Sequence, residues 1–334
     1  MIVTRTPFRI SFFGGGTDYP AWYRGHGGVV LATTIDKYCY ISCRYLPPFF
    51  EHKHRIVYSN IENVRDTAEI QHPAARAVLE WAGVQEGLEI HHDGDLPARS
   101  GLGSSSSFTV GLVHALSALR GRYISKEELA SSAIHIEQNI IKENVGSQDQ
   151  VSVAFGGFNR IEFRQNNTFE VSPVILSAER IAELQRRLML CFTGLSRIAS
   201  DVAKSQIDNI KIKTRDSELI RMKEMVGEGI NILQNPSASI DEFGTLLDEA
   251  WRHKRALSDR VSNPQIDCLY EEAVRGGAIG GKILGAGGGG FLLLFVRPEK
   301  QAQVRARLNK LIHVPFKRED SGSRVVLYQP NGMA

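Results

Sequence analysis

The sequence predicts an α+β protein of two lobes with a cleft between them, and three observations lead to that prediction. The chain has 334 residues, more than the roughly 250–300 at which a single hydrophobic core stops growing. Segments with the two-residue apolar period of strands alternate with segments of helical period. The glycines, 31 in all, gather in clusters typical of binding loops. We place the lobes at residues 1–175 and 176–334, with a small-molecule site expected in the cleft.

The first lobe is predicted to begin with strands and to continue with alternating helices and strands. IVTRTPFRISFF, VVLATTI and KYCYISCRY predict strands within the first 45 residues, and GLEIHHDGDLP (87–97) predicts another. A helix follows at 104–119, where the apolar residues fall on one face. A Ser-x-x-Glu capping box then opens a helix over about 126–143, and VSVAFGGFNRIEF (151–163) is interpreted as a strand.

The second lobe is predicted to begin and end with strands around a helical region. The expected strands are 187–194, 291–296 and 324–328, and the expected helices are 198–213, 216–234, 240–257, 264–275 and 299–311.

Composition excludes several classes of protein. The formal net charge is only +3 at pH 7, so neither a nucleic-acid groove nor a membrane-binding surface is indicated. No apolar run approaches the roughly 18–20 residues that span a bilayer, and the first residues have no apolar core of signal-peptide length. The four cysteines form no CxxC pair and no cluster with histidine, which argues against a zinc site. We expect a cytoplasmic protein with reduced thiols.

The segment DLPARSGLGSSSSFTV (95–110) places glycines and four serines directly before the predicted helix at 104–119. Gly101 and Gly103 permit a backbone that approaches a ligand closely. The serines then supply first-turn N–H groups and hydroxyls at a helix N-terminus, which attracts anions. A triphosphate would use that many donors, although a serine-rich helix cap without a ligand is the simpler alternative.

Two other glycine-rich segments match known motifs only in part. GGAIGGKI fits the Walker A spacing, but Ile283 stands where a P-loop needs Ser or Thr for magnesium. GAGGGG (285–290) fits the dinucleotide pattern, yet it leads into the strand FLLLFV and does not open a helix. Neither a P-loop nor a Rossmann site is therefore predicted.

FRISFFGGGTDYP (8–20) contains a second group of candidate residues. Arg9 lies in a predicted strand, and Asp18 follows a turn of three glycines. An Asp that merely caps a turn is the plain alternative. One glycine would be enough for a turn, so Gly14–Gly16 indicate room for a ligand against bare backbone.

Two carboxylates complete the candidate site. In the helix predicted over 126–143, Glu137 shares one face with the apolar residues Ala130, Ile134 and Ile141. An unpaired carboxylate on such a face is costly, so it should have a cation as partner. Asp149 lies in a polar segment before the next predicted strand. Phosphoryl transfer needs one carboxylate on Mg²⁺ and another near the attacking hydroxyl, and these two fit.

These elements, in this order, resemble the GHMP kinases, the superfamily of galactokinase, homoserine kinase, mevalonate kinase and phosphomevalonate kinase. TPFRISFFGGGTDYP resembles the first family motif, LPARSGLGSSSSF the phosphate loop and GGKILGAGGGGFLLLF the third motif. The resemblance implies ATP and Mg²⁺ as cofactors. It also implies an N-terminal lobe like domain 2 of ribosomal protein S5 and a ferredoxin-like C-terminal lobe.

The resemblance also assigns roles to individual residues. Asp149 and Arg9 would be catalytic, Asp149 orienting or accepting the substrate proton and Arg9 lying beside the reacting oxygen. Ser105 and Glu137 would bind the metal. The residues implied to hold ATP are Ser100, Gly101, Leu102, Gly103, Ser104, Ser105 and Ser106, and those implied to contact the substrate are Asp18, Gly15, Gly16, Gly287 and Gly288.

Departures from the galactokinase pattern indicate the substrate. Galactokinases read GEHTDY where this chain reads GGGTDY, so Gly15 and Gly16 enlarge the pocket at that wall. RISFFGGGTDYP, FTGLSRIAS and SNPQID are similar to the branch that phosphorylates D-glycero-D-manno-heptose 7-phosphate at its anomeric oxygen, for nucleotide-activated heptose and surface polysaccharide. The phosphate already on that sugar should meet a basic residue. The candidates are Arg24, His26, Arg197 and Lys282.

We therefore predict an ATP-dependent sugar 1-kinase that acts on a small-molecule sugar phosphate. A fucose, galactose or arabinose 1-kinase is one alternative, and a non-catalytic sensor of sugar and ATP is another. A dinucleotide-dependent oxidoreductase ranks behind both. A homodimer is the assembly considered, although the sequence itself does not decide the oligomeric state.

Overall fold

The structure is a computed structural model that describes residues 1–98, 100–195 and 199–330. In chain order the strands are β1 (Ile2–Phe13), β2 (Gly28–Tyr45), β3 (His54–Val57), β4 (Ile61–Val64), β5 (Leu88–Gly94), β6 (Phe158–Phe163), β7 (Phe169–Pro173), β8 (Leu188–Phe192), β9 (Ala278–Ile283), β10 (Phe291–Val296), β11 (Ile312–His313), β12 (Arg318–Glu319) and β13 (Arg324–Tyr328). The α-helices are α1 (Pro20–His26), α2 (Pro73–Trp81), α3 (Ser104–Leu119), α4 (Lys126–His135), α5 (Gln148–Phe155), α6 (Ala178–Arg187), α7 (Ala199–Lys211), α8 (Asp216–Gln234), α9 (Asp241–Ala256), α10 (Pro264–Arg275) and α11 (Gln301–Arg307).

The first sheet is built around the long strand β2. Its order is β13-β1-β2-β5-β3-β4, and β6 and β12 also pair with β2. One strand can serve so many partners because β6 pairs with residues 28–33 of β2 and β5 with residues 39–45. Helix α3 lies against β1 and β2, and its apolar residues are buried there. This packing fixes the serine-rich N-terminus of α3 beside β1.

The second sheet is antiparallel, with the order β11-β8-β10-β9. Helices connect β8 to β9, and α11 connects β10 to β11, which is the ferredoxin-like arrangement. Every residue of β10 (FLLLFV) is buried because alternate residues enter two different clusters. Phe291, Leu293 and Phe295 join a core shared with the first lobe, whereas the other three pack among the helices of the second lobe.

Helix α9 joins the two sheets. Phe243 packs edge-on against Phe12 and Phe13 of β1, with ring centroids 5.4 and 5.0 Å away. On its other side α9 approaches β9 so closely that a Cβ on Gly280 would lie 2.0 Å from the carbonyl oxygen of Gly244. The two lobes therefore share one hydrophobic core, and α9 has a fixed position between them.

Several predicted elements are present with almost the predicted bounds. These are the helices expected at 104–119, 216–234, 240–257 and 264–275 and the strands expected at 291–296 and 324–328. Residue 198, the predicted start of another helix, lies outside the described residues.

Other predictions of local structure are wrong. VSVAF, expected in a strand, forms the end of helix α5, because burial against neighbouring helices outweighs the β-propensity of its valines. The helix expected over 126–143 ends its α-helical part at His135, and a π-helical turn, Ile136–Ile140, follows. Helices α1, α2 and α6 were not predicted at all.

The last strands return to the first sheet. β13 pairs antiparallel with β1 from Ile2 opposite Tyr328, and β12 pairs with β2. The division at residues 175 and 176 stays a prediction, but residues 318–328 of the second part complete the sheet of the first. Within the described ranges, no helix combines the length and apolar character that spanning a bilayer requires.

Candidate active site

A cavity of about 270 Å³ lies between the two lobes and contains most of the predicted site residues. We call its two sides the first-sheet wall (Arg9, Asp18, Gly101, Gly103 and Asp149) and the second-sheet wall (Lys254, Lys282, Gly285 and Ala286). The remaining lining comes from Ser11 of β1, the turn before α1, the first turn of α3, residues 143–146 and 148, and helix α7. The cavity therefore lies where the predicted cleft was expected.

The phosphate loop enters α3 through two glycines in the left-handed region. Gly101 has φ +84° and Gly103, the N-cap residue, has φ +79°, a conformation that side chains with a Cβ disfavour. A Cβ on Gly101 would also lie 2.5 Å from the carbonyl oxygen of Leu284. The first turn of α3 consequently faces the cavity, and Ser104, Ser105 and Ser106 all line it. A helix N-terminus in this position favours an anion.

Arg9 and Asp149 form a bidentate ion pair at the phosphate loop. Arg9 Nε lies 2.7 Å from Asp149 Oδ1, and Arg9 Nη2 lies 2.6 Å from Oδ2. Arg9 also donates through Nη1 to the carbonyl oxygen of Gly101 at 2.6 Å. Its side chain is 3% exposed, whereas that of Asp149 is 25% exposed. The arginine thus positions a carboxylate that a bound molecule can still reach.

Glu137 is fully buried behind the first turn of α3, in the π-helical turn. Its Oε2 accepts hydrogen bonds from Ser106 Oγ at 2.9 Å and from the Gln150 amide. Among the described residues, Oε1 has no hydrogen-bond partner. Burial raises the pKa of Glu137 to about 7, and the nearby side chains of Thr109, Gln150 and Ser106 oppose that rise. A carboxylate with a buried unpaired oxygen suits a cationic ligand.

The two predicted metal ligands, Ser105 and Glu137, lie in different surroundings in the structure. Ser105 is exposed to the cavity, and the hydroxyl that contacts Glu137 belongs to Ser106. The cation expected as partner of Glu137 is not a side chain of the described residues, because its hydrogen-bond donors there are neutral. The role of Ser105 in metal binding stays a prediction.

Asp18 is buried beside Asp149 in the first-sheet wall. It accepts hydrogen bonds from the backbone N–H of Gly16 at 2.9 Å and of Gln148 at 3.3 Å. Burial raises its pKa, and the nearby Asp149 adds to that effect. Gly146 must be a glycine here, since a Cβ would lie 1.8 Å from Asp18 Oδ2. Gly15 and Gly16 line the cavity next to this carboxylate.

The third glycine loop supports the phosphate loop. A Cβ on Gly285 would lie 2.6 Å from Gly101 Cα, and the N–H of Phe291 bonds to the carbonyl oxygen of Ser100 at 3.2 Å. Gly287 and Gly288 do not line the cavity. The N–H of Gly288 donates a hydrogen bond to the carbonyl oxygen of Val261 at 2.8 Å. Of the third glycine loop, Gly285 therefore lines the cavity, whereas Gly287 and Gly288 do not.

The four basic residues considered as partners of a substrate phosphate lie in different places. Lys282 is buried in the cavity wall, whereas Arg24 and His26 are exposed and do not line it. Arg197 lies outside the described residues.

Sequence reasoning missed Lys254, which lines the cavity and is 5% exposed. It follows Phe243, Leu247 and Ala250 at the spacing i, i+4, i+7 and i+11, on the buried face of α9. The same periodicity singled out Glu137, so the signal was present in the sequence. Ser11, Gln148 and Gln206 are further lining residues that were not chosen as candidates from the sequence.

Two family models match the chain in the order expected. The model described as GHMP kinases N terminal domain matches residues 69–157, and the model described as GHMP kinases C terminal matches residues 233–313. A D-glycero-alpha-D-manno-heptose 7-phosphate kinase of Campylobacter jejuni is 30% identical over 326 residues, which cover 92% of this chain and 93% of that protein. The chain belongs to the GHMP kinases. The predicted family and its fold are therefore confirmed.

Other members of the family match over a similar length. A galactokinase of Pyrococcus furiosus is 25% identical over 332 residues and covers 90% of each chain. The crystal structure of a D-glycero-D-manno-heptose 1-phosphate kinase from "Bacteriodes thetaiotaomicron" superposes with a TM-score of 0.79 at 22% identity, covering 98% of this chain and all of that one. As a member of the family this protein is an ATP-dependent kinase, and these full-length relatives are sugar kinases.

Proposed function

We propose that this GHMP kinase transfers a phosphoryl group from ATP to the anomeric (C1) hydroxyl of D-glycero-D-manno-heptose 7-phosphate. The product would be the 1,7-bisphosphate, for nucleotide-activated heptose and surface polysaccharide. The observation that carries the proposal is the bidentate pair of Arg9 and Asp149 beside the phosphate loop. The names of two full-length relatives, both kinases of a manno-heptose, support the choice of sugar.

A nucleoside triphosphate would bind at the phosphate loop. The loop passes close to Arg9 and Asp149, which is possible because Gly103 has a left-handed backbone and no Cβ that would crowd them. Residues 100–106 would hold the phosphates through main-chain N–H groups and serine hydroxyls. Within the described residues no cluster of three or more His, Cys, Asp or Glu side chains could hold a metal. Mg²⁺ characteristically takes one or two carboxylates together with substrate phosphates, so Glu137 and Ser105 would suffice. When bound, the ion neutralises charge on the phosphate oxygens.

Asp149 would orient the attacking hydroxyl and take its proton. Its carboxylate is partly exposed to the cavity and is held in place by Arg9. Arg9 in turn would offset charge on the transferring group, because its guanidinium lies between Asp149 and the carbonyl of Gly101. Positioning and charge neutralisation are the main contributions of a protein to phosphoryl transfer.

The sugar would lie against Asp18, Gly15 and Gly16. The buried carboxylate of Asp18 can accept a hydrogen bond from a sugar hydroxyl, and the two glycines leave space beside it. Ser11 Oγ and Gln148 Oε1, which have no partner among the described residues, offer further polar contacts. Such a wall fits a polar molecule of monosaccharide size.

A substrate panel tests the proposal. Heptose 7-phosphate, free heptose, fucose, galactose and arabinose are each assayed for ADP release, and the product is identified by phosphorus NMR. We expect the highest kcat/KM with the heptose 7-phosphate and a new phosphate at C1. Equal activity with heptose lacking the 7-phosphate, or phosphorylation at another position, contradicts the proposal.

The panel also decides between the proposal and its alternatives. Fucokinase and galactokinase relatives match across this chain at 24–30% identity, so a preference for one of those sugars would indicate a different sugar 1-kinase. Binding of ATP and sugar without transfer to any sugar would indicate a sensor.

The proposed setting is the cytoplasm, where ATP is present. Cys39, Cys43 and Cys191 are buried and unpaired, as expected for reduced thiols. A homodimer is the proposed assembly, and sedimentation equilibrium that gives a monomer mass would contradict it.

A further inference from the structure

Two lysines enter the cavity from the second-sheet wall. Lys254 belongs to α9 and Lys282 to β9, and Lys254 lies near enough to lower the pKa of Lys282. Lys254 is 5% exposed and Lys282 is 2% exposed. Lysine is rarely buried to this extent without a carboxylate partner, so this pair needs an explanation.

The ammonium groups contact only backbone carbonyls among the described residues. Lys254 Nζ donates to the carbonyl oxygens of Ile283, at 3.2 Å, and Gly285. Lys282 Nζ donates to the carbonyl oxygen of Phe12 at 2.8 Å. Neither lysine takes part in an ion pair of the described residues, whereas Arg9 on the opposite wall is paired with Asp149.

The position of Lys254 connects it to the phosphate loop. Its acceptor Gly285 packs directly against Gly101, and both residues line the cavity. Lys254 and the first turn of α3 line the same cavity. An anion in the cavity could therefore contact the phosphate loop on one side and the lysines on the other.

We propose that Lys254 and Lys282 form an anion site that receives a phosphate group at the second-sheet wall. The inference rests on the proposed function, because that phosphate is either the group transferred from ATP or the phosphate already on the sugar. In both cases the negative charge would replace the missing carboxylate partner of the two ammonium groups.

The pKa of each lysine is lowered from its ordinary value. Burial lowers the pKa of Lys254 to about 7; Arg9 lowers it further, and Asp18 and Asp149 oppose the shift. Burial, Lys254 and Arg9 also lower the pKa of Lys282. An entering anion favours the charged form, so the binding of an anion near pH 7.5 should take up protons.

Replacing Lys254 by methionine tests the site through catalysis. Lys254→Met removes the ammonium group and keeps an unbranched side chain, and we expect kcat/KM to fall about tenfold to a hundredfold. Lys126→Met is the matched control, because Lys126 Nζ also donates to two carbonyl oxygens, those of Phe155 and Ser321, but does not line the cavity. The control should stay within about twofold of the wild type. Equal kcat/KM for both variants would overturn the proposal.

The same variant identifies the source of the phosphate. A loss confined to the phosphorylated sugar, with free heptose unaffected, assigns the site to the sugar phosphate. A loss of the same size for both sugars, together with weaker binding of an ATP analogue, assigns it to the transferred group. Either result supports the anion site.

Sulfate binding provides a test that does not depend on activity. Sulfate is a tetrahedral dianion that does not titrate near neutral pH, so protons taken up on its binding come from the protein. Calorimetry at pH 7.5 in two buffers of different ionisation heat should show proton uptake for wild type and Lys126→Met. We expect Lys254→Met to lose part of that uptake, with Lys282, whose pKa is also lowered, as the source of a remainder. Unchanged uptake overturns the proposal.

Failure of the proposed function and failure of the anion site give different results. If wild-type protein phosphorylates no sugar, the proposed function fails, but the sulfate experiment still tests the anion site. If Lys254→Met does not fold, Lys254→Arg keeps the charge and should retain sulfate binding with less proton uptake than the wild type, since arginine does not titrate. Proton uptake in Lys254→Arg equal to that of the wild type contradicts the assignment to Lys254.

Discussion

The two walls of the cavity hold their charges in different ways. On the first-sheet wall, Arg9 and Asp149 neutralise each other through two short hydrogen bonds. On the second-sheet wall, the partners of Lys254 and Lys282 among the described residues are carbonyl oxygens alone. A paired site is already organised before a ligand enters, whereas an unpaired cation gains its partner when an anion binds. The comparison indicates that the first-sheet wall positions the reacting groups. The second-sheet wall, in contrast, gains a partner for its lysines when an anion binds.

The largest expected effect concerns the ion pair of the first-sheet wall. Asp149→Asn keeps the shape of the side chain and removes the base, so we expect kcat to fall about 10²–10⁴-fold. The affinity for an ATP analogue should change little, because Asp149 is not part of the phosphate loop. Steady-state kinetics and equilibrium nucleotide binding measure the two quantities.

Asp267→Asn is the control for that substitution. Asp267 also pairs with an arginine, Arg255, at 3.2 Å, but does not line the cavity. Its turnover should match that of the wild type. Wild-type turnover from Asp149→Asn would remove the carboxylate from the mechanism and with it the functional difference between the walls.

The next effect concerns the buried carboxyl behind the phosphate loop. Glu137 binds its proton with a pKa of about 7 in the folded protein, against 4.5 for an ordinary glutamate. The folded state therefore holds more protons between these values, and its stability falls as pH rises from 4.5 to 7. The difference corresponds to about 3 kcal/mol. Glu137→Gln should remove that loss of stability at rising pH.

Urea unfolding at pH 5 and pH 8, without nucleotide or metal, measures this prediction. The free energy of unfolding of Glu137→Gln should fall less between the two pH values than that of the wild type. Glu127→Gln changes an exposed glutamate in the first turn of the preceding helix α4 and should behave like wild type. An unchanged pH dependence in Glu137→Gln would mean that Glu137 is charged in the free enzyme.

A smaller effect distinguishes the phosphate loop from an ordinary helix end. Gly103 and Gly121 flank α3 with φ +79° and +68°, so alanine at either position should cost about 1–2 kcal/mol of stability. Only at Gly103 would a Cβ meet the site, 3.3 Å from Arg9 Cγ and 3.4 Å from Asp149 Oδ2. We expect the KM for ATP to rise about tenfold in Gly103→Ala alone. Equal KM values for the two variants would argue against nucleotide binding at this loop.

The smallest effect concerns the sugar side of the cavity. A Cβ on Gly15 would lie 3.7 Å from Gln148 Nε2 and Ser11 Oγ, an ordinary contact distance. Gly15→Ala should therefore fold normally but raise the KM for a heptose about threefold to tenfold, by narrowing the cavity. Gly25→Ala, with nothing within 4 Å, is the control. A KM that does not change would place the sugar elsewhere.

The candidate residues of the first-sheet wall were predictable because they belong to contiguous motifs. Arg9, Asp18 and the serines of 100–106 were chosen from such segments, and they line or border one cavity. Lys254 belongs to no glycine motif and was overlooked, although its place on the apolar face of α9 resembles that of Glu137 in its own helix. Gly287 and Gly288 were chosen from the third motif, but both lie next to Val261 and neither lines the cavity.

Local structure was predictable where packing and propensity agree. The strand FLLLFV and the helix at 216–234 have strong patterns and were found. VSVAF has the valines of a strand but packs as helix α5 among neighbouring helices, so its environment decided its conformation. No local signal indicates that β13 would pair with β1, since that contact joins the two ends of the described chain.

The sequence alone determined the family, the order of its glycine motifs and the residue types of phosphoryl transfer, because these depend on short segments whose chemistry is local. Only the tertiary structure decided that Ser106 meets Glu137, that Arg9 holds Asp149 and that two lysines face them across the cavity. Those contacts join residues from different sheets and helices. Their distances follow from how β1, α3 and α9 pack on the shared core, which no single segment specifies.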